Sequence, residues 1–302
     1  MRKDRIDALG ATILIVFSVF LGFNQVMIKW GNEGFQPWFQ GALRSLIALP
    51  VILAWAWLRG SRLSLRDGTL GPGLLIGLFF GFEFVCLYLA LDLSDVARIT
   101  VIFYSMPIWV AIAAHWMIPG ERLNARRTIG LVIAMGGVGV ALADRTTGAV
   151  SLLGDVLAIL GAILWAGIAI TIRTTRLSVA TPEMQLIYQV VVAGVIMLMA
   201  ALLSGEALLR DPEPIHWGLV GAQGALIVGS VFIVWFWVLS IYPASDMTAF
   251  SFLSPVFAVL FGWLVLGEQI GPGVIGGLVL VSIGIYLVSR RARPPASAAA
   301  AP

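Results

Sequence analysis

Charge is what this sequence has least of. Only 12% of its 302 residues are charged and 60% are hydrophobic, with a mean hydropathy of +0.97, whereas a soluble chain carries about a quarter charged residues. A soluble globule of this length needs surface charge to stay dispersed, so the scarcity argues for a polytopic membrane protein. Cysteine is nearly absent. Cys86 stands alone inside an apolar run, which excludes an intramolecular disulfide and any cysteine-built metal centre, and it reads as a buried filler. Histidine is as thin, with His115 and His216 only. There is no G-x-S-x-G elbow and no P-loop, so no catalytic constellation forms, and no metal, cofactor or enzymatic activity is expected. An intramembrane enzyme and a receptor or lipid-binding scaffold stand as the alternatives of a different class.

What is abundant is apolar runs of membrane-spanning length. A hydrocarbon core of about 30 Å needs roughly 20 apolar residues per helix, and ten runs fit the chain: 8 to 30, 37 to 58, 72 to 92, 94 to 117, 123 to 144, 151 to 175, 181 to 204, 215 to 239, 243 to 266 and 270 to 290. The basic start and first run read as a retained span, because the run exceeds the core of a signal peptide and no small-residue cleavage site follows. Of the 19 Lys and Arg residues, fourteen fall before residue 6 and in 59–66, 122–127, 173–176 and 290–293. Four (Lys29, Arg98, Arg145, Arg210) fall on the other side, and Arg44 lies inside a span, from which it reaches outward by snorkelling. Positive flanks stay cytoplasmic, so both termini are expected in the cytoplasm, which agrees with an even number of spans. The net charge of +3 is thereby accounted for by topology, and no nucleic-acid partner is implied. Residues 291–302 form a low-complexity tail expected to be disordered.

The chain also says the same thing twice. FYSMPIWVAIAAHWMIPGER (103 to 122) and SFLSPVFAVLFGWLVLGEQ (251 to 269) each carry a proline (Pro107, Pro255), then a tryptophan (Trp116, Trp263), then Gly-Glu (Gly120-Glu121, Gly267-Glu268). Beyond them, 127 to 143 aligns with 274 to 289, placing Gly130 over Gly277 and Gly137 over Gly284. More weakly, 29 to 44 aligns with 173 to 189, pairing Lys29 with Arg173, Pro37 with Pro182 and Gln40 with Gln185. The expected fold is therefore an all-α membrane protein of ten transmembrane helices in two five-helix units, 1–145 and 146–290. Because five is odd, the second unit enters the membrane inverted. Such a fold opens in two equivalent ways, with alternating access and a site near the midplane as the expectation. Pro107 and Pro255 each remove a donor in mid-helix, as hinges of the fourth and ninth spans or as static bends. Glu121 and Glu268 stand at turns where a carboxylate caps a helix dipole. The glycines of the fifth and tenth spans let backbones approach in lipid, as an internal contact or as a dimer surface.

Two five-span repeats, each with a proline-centred helix, a Gly-Glu turn and a glycine-spaced last helix, resemble the drug/metabolite transporter superfamily in its EamA-type ten-helix branch, over residues 9 to 288. ARITVIFYSMPIWVAIAAHW with GER is most similar to the exporters of aromatic amino acids in that branch. The resemblance implies a secondary transporter in a bacterial inner membrane that moves small organic solutes outward, with a monomer or a dimer both open to it. It also implies a central cavity lined mainly by helices 1, 3, 4, 6, 8 and 9.

Polar and aromatic side chains inside the spans are the candidates for such a cavity, since intramembrane polar groups are costly. Glu83 is the most isolated carboxylate, either a proton carrier or ammonium partner, or a structural hydrogen bond to a neighbouring helix. Trp165 and Trp235 fall well inside their spans, as an aromatic wall for an apolar substrate or as packing. Asn24, Tyr88, Tyr104, Gln223, Ser230 and Ser254 supply hydrogen bonds to a carboxylate and an amine. No cluster of Lys and Arg faces the expected cavity, which argues against sugar-phosphate cargo. Neutral amino acids with large apolar or aromatic side chains are the expected substrate.

Overall fold

The computed structural model describes residues 7–119, 121–145, 148–231, 238 and 253–289. Among them there is no β-strand, only helices and the isolated bridge Phe35–Leu209. In chain order the helices are α1 (Ala8–Gly34), α2 (Pro37–Leu58), α3 (Leu70–Leu93), α4 (Val96–Phe103), α5 (Met106–Met117), α6 (Ala125–Ala143), α7 (Leu152–Thr174) and α8 (Pro182–Leu203). Then come α9 (Pro214–Ala222), which runs directly into a π-helix (Gln223–Val231), α10 (Leu253–Leu266) and α11 (Pro272–Ser289). Among the described residues, seven stretches are long and apolar enough to cross a membrane, with α4 and α5 together forming one, and α10 and α11 are shorter apolar helices. Each of the first seven expected spans finds its helix. The eighth begins with α9 and the π-helix, and most of its remainder and the start of the ninth lie outside the described residues.

Local chemistry sets the ends. Asp7 Oδ1 accepts from the Gly10 amide at 2.9 Å, Asn124 Oδ1 from Arg127 at 2.9 Å and Ser151 Oγ from Gly154 at 3.1 Å. Each satisfies an amide that has no partner within its own helix. Pro37 and Pro182 open α2 and α8, where a missing N–H is harmless.

The prolines divide differently from the expectation. The fourth span is two helices: α4 stops at Phe103, Ser105 N donates to Ile102 O at 3.0 Å, and α5 restarts at Met106 with Pro107 in its first turn. Pro107 cannot donate to the carbonyl four residues back and its ring crowds that turn, so the helix is interrupted and Pro107 does not sit in mid-helix. Pro255 is buried in the first described turn of α10. Pro50 is a further proline inside a helix, the uninterrupted α2.

Small residues bring the helices together. Gly73, Gly77 and Gly81 of α3, one turn apart, lie against Tyr188, Val192 and Ile196 of α8. Along α2, Gly41 meets Met197 and Ser45 meets Gly194, so α2 and α8 run antiparallel, while Gly224 and Gly229 of the π-helix meet Ile47 and Val51 on another side of α2. Gly22 of α1 rests on Ser254 and Ala258 of α10. In the pair α6–α11, Gly130 meets the Gly284 carbonyl and Gly137 the Gly277 carbonyl, and each contact is reciprocal. The two backbones touch directly, as glycine-lined crossings in lipid allow. The glycine faces thus meet inside one chain.

Candidate functional site

Between α2, α3 and the π-helix lies a buried polar cluster built on Arg44, Glu83, Tyr88 and Gln223, each at most 2% exposed. The Arg44 guanidinium stacks over the Phe84 ring at 3.9 Å from its centroid and lies 5.5 Å from that of Tyr88. Tyr88 in turn donates to Gln223 Oε1 at 3.0 Å, and its backbone carbonyl accepts from Asn32 Nδ2 at 3.1 Å. Arg44 therefore does not snorkel to a membrane surface. Its side chain is drawn sideways by two aromatic faces, a preference that desolvation strengthens.

What marks this cluster is unspent hydrogen-bonding capacity. Arg44 Nε, Glu83 Oε2, Gln223 Nε2, both amide atoms of Gln40 one helical turn before Arg44, and Asn32 Oδ1 are buried without a partner. Glu83 adjoins Phe84, on whose ring the Arg44 guanidinium lies, yet no direct ion pair joins Arg44 and Glu83 among the described residues. Buried polar atoms in folded proteins nearly always have partners, and those without one call for an explanation such as an unseen water or ligand. Around the cluster stands an aromatic wall: Phe80 packs edge-on to Phe84 at 4.5 Å and Phe84 to Tyr88 at 5.8 Å, and Trp38 and Trp165 pack on the same core. The π-helix that begins at Gln223 has no signal in the sequence, and such distortions recur at functional positions.

A second group joins the two proline segments. The Tyr104 hydroxyl, at the break between α4 and α5, lies close enough to interact with Ser254, next to Pro255. Asn24 is buried on α1 with Oδ1 unpartnered. Of the expected site residues, Glu83, Tyr88 and Gln223 come together, Tyr104 and Ser254 form this separate pair, and Trp165 belongs to the surrounding core. The side chain of Ser230 and all of Trp235 lie outside the described residues.

At the end of the bundle carrying the α3–α4, α6–α7 and α10–α11 loops, a different polar group is fully engaged. Glu268 accepts from the Val96 amide at 2.7 Å and the Ala97 amide at 3.0 Å, with Lys29 Nζ at 3.5 Å. It is a helix cap, as its Gly-Glu setting suggests, but it caps α4 from across the molecule and not the helix that follows it. Gly267 makes the reversal with φ of 67°, open to glycine at little cost. Asp144 Oδ2 caps α11 through Gly273 at 2.7 Å. Glu121, by contrast, pairs with Arg173. Arg98 is not a loop cation: it is 3% exposed, donates to both carboxylate oxygens of Asp155 at 2.7 Å, and reaches the carbonyls of Ala141, Leu142 and Asp144 at the end of α6. Neither histidine sits near the cluster: His115 Nδ1 accepts from Leu123 at the α5–α6 turn, and His216 completes the cap of α9.

The EamA-like transporter family matches residues 8–143 and again 152–290. Full-length relatives include the uncharacterized transporter YoaV of Bacillus subtilis (strain 168), 24% identical with 91% of this chain and 94% of that protein covered. A protein of Escherichia coli (strain K12) named a probable amino-acid metabolite efflux pump is 27% identical, with 95% and 94% covered. One solved crystal structure superposes with a TM-score of 0.67 at 19% identity, over 92% of this chain and 96% of that one.

Proposed function

The chain belongs to the EamA-like transporter family and is a multi-pass membrane protein; from that premise we propose that it is a secondary transporter exporting small neutral solutes, aromatic and other large apolar amino acids foremost. The observation that carries this reading is the buried cluster of Arg44, Glu83, Tyr88 and Gln223, with its unpartnered polar atoms set against an aromatic wall. A mostly apolar cavity with a few convergent polar groups is the usual form of a small-molecule site. The relative named as an amino-acid metabolite efflux pump supports the substrate class.

The transport mechanism in this reading is alternating access between two inverted five-helix repeats, 1–145 and 146–290, in a bacterial inner membrane. Two observations favour it. The family matches the chain twice, once in each half. The α6–α11 contact also has the right symmetry: Gly130 is the sequence equivalent of Gly277 and Gly137 of Gly284, yet Gly130 touches Gly284 and Gly137 touches Gly277. A two-fold axis exchanges equivalent positions across its own interface. The break at Tyr104 and Ser105 and its tie to Ser254 give the two halves a place to flex.

The test is counterflow in liposomes containing only this protein, with a panel of radiolabelled solutes. Saturable exchange of phenylalanine, tryptophan, methionine or leucine is the expected result. Saturable exchange of nucleosides or cationic drugs with no amino-acid flux would replace this reading with a broader metabolite or drug exporter of the same fold. No exchange of any solute would favour the enzyme or receptor alternatives.

A further inference from the structure

Arg44 and Glu83 pose a problem that neither solves alone. Both are about 2% exposed in a cluster walled by Phe84 and Tyr88. Each has a buried polar atom with no partner; Glu83 adjoins Phe84, whose ring the Arg44 guanidinium covers at 3.9 Å, and no ion pair joins the two among the described residues. Buried charges are tolerated when paired and hydrogen-bonded, and an incompletely paired set is strongly disfavoured. A guanidinium and a carboxylate held apart in one apolar setting therefore form a dipolar slot. What fills it must bring a carboxylate to Arg44 and a cation to Glu83 together.

We propose that Arg44 and Glu83 are the specificity-determining pair for zwitterionic α-amino acids, Arg44 receiving the substrate carboxylate and Glu83 its ammonium. This rests on the amino-acid reading above and adds to it which residues read the two ends of the substrate. The chemistry of the slot favours the zwitterion over either half of it. An amine bound to Glu83 leaves Arg44 unmatched and adds a second cation, while a carboxylate bound to Arg44 leaves Glu83 unmatched and adds a second anion. The zwitterion leaves the net charge of the site unchanged and completes both sets of hydrogen bonds. Gln40, one turn from Arg44 on the same face of α2, and Gln223 each hold an unpartnered amide nitrogen, donors suited to the second carboxylate oxygen. The aromatic wall then receives the side chain, which fixes no headgroup and tolerates several apolar shapes. By sequence alone Arg44, about two turns from the end of its span, is expected to snorkel outward. Its stacking on Phe84 is the observation that turns it toward the slot.

The experiment is inhibition of phenylalanine counterflow in proteoliposomes of the full chain by three probes: phenylalanine itself, phenethylamine, which lacks the carboxylate, and 3-phenylpropionate, which lacks the ammonium. In the unsubstituted protein, phenylalanine inhibits about ten- to a hundredfold better than either half-molecule, the range expected for losing a charge-assisted hydrogen bond in a buried site. Arg44→Gln brings phenylalanine and phenethylamine to the same potency, and Glu83→Gln does so for phenylalanine and 3-phenylpropionate; Arg44→Lys restores part of the first difference. These are ratios within one variant and do not depend on how much of it folds. If phenylalanine is carried but either half-molecule inhibits it equally well in the unsubstituted protein, the pairing is overturned and the transport reading stands. If the unsubstituted protein carries other solutes and no amino acid, the transport reading falls and takes the pairing with it.

Discussion

Two buried polar regions of this protein carry similar residues and end in opposite states. At the Glu268 end, Arg98 and Asp155 share two bonds of 2.7 Å, Arg98 also serves three carbonyls, Glu268 holds two amides, and Asp144 caps α11. In the Arg44 cluster, an equally buried arginine and carboxylate do not meet, and atoms of Gln40, Glu83 and Gln223 have no partner. Low dielectric makes both arrangements consequential. The first has committed its hydrogen-bonding capacity to joining α1, α4, α6, α7 and α11, and it acts as scaffold. The second holds capacity in reserve, which a scaffold has no use for and a binding site requires.

The hardest test of that contrast is to remove one arginine from each region. Arg98→Ala leaves Asp155 charged, buried and unpaired and releases three carbonyls, so a loss of about 3–5 kcal/mol is expected, the usual cost of breaking a buried pair from one side. Arg44→Gln leaves a polar side chain in the cluster, where Arg44 forms no ion pair among the described residues, and its cost in stability is expected to be clearly smaller. Thermal unfolding of the two purified variants in detergent compares them directly. Equal losses would erase the distinction between scaffold and site.

A smaller effect is expected at the glycine crossing of α6 and α11, where neighbouring positions give opposite forecasts. A Cβ on Gly137 would stand 2.8 Å from the Gly277 carbonyl, whereas one on Gly136 meets nothing within 4 Å. Gly137→Leu should cost about 1–3 kcal/mol through overpacking, with Gly136→Leu near neutral. Similar unfolding temperatures for the two would mean that this crossing loosens without consequence, and the antiparallel pair would lose its place in the two-fold argument.

How much of this the sequence could show depends on how local the cause is. The limits of α2, 37–58, could be read directly, because a proline start and the end of an apolar run are local signals. The Pro107 and Gly-Glu landmarks were equally visible. Their partners were not: Glu268 caps a helix more than 170 residues earlier in the chain, and nothing in a Gly-Glu pair says which helix it will meet. Arg98 looked like a loop cation because it stands just after Ser-Asp. Asp155, 57 residues on, draws it into the interior. Arg44 was misplaced for a related reason, since hydropathy gives depth along a helix but not which neighbour a face will meet. Glu83 was legible because an isolated carboxylate in an apolar run is costly wherever it points. The π-helix at Gln223–Val231 had no signal, as it changes the hydrogen-bond register without changing the apolar pattern.

The finest contrast concerns a carboxylate of the scaffold end, Glu268. Burial pushes Glu268 above the usual carboxylate range; the amides of Ala97 and Val96 and the charge of Lys29 pull it back without cancelling the effect, and Asp95 adds to the rise. An acid whose folded pKa is raised binds its proton more tightly in the folded state. Its stabilising contribution is therefore complete below the unfolded value, about 4.3, and is lost as the pH climbs through the folded value. Unfolding temperatures measured upward from about pH 4 should consequently fall slightly with pH in the unsubstituted protein. Glu268→Gln, which cannot titrate and keeps one oxygen for the α4 amides, should flatten that slope. A slope that rises with pH in the unsubstituted protein and vanishes in Glu268→Gln would mean that the two amides and Lys29 outweigh burial, so that Glu268 acts as a permanently ionised cap.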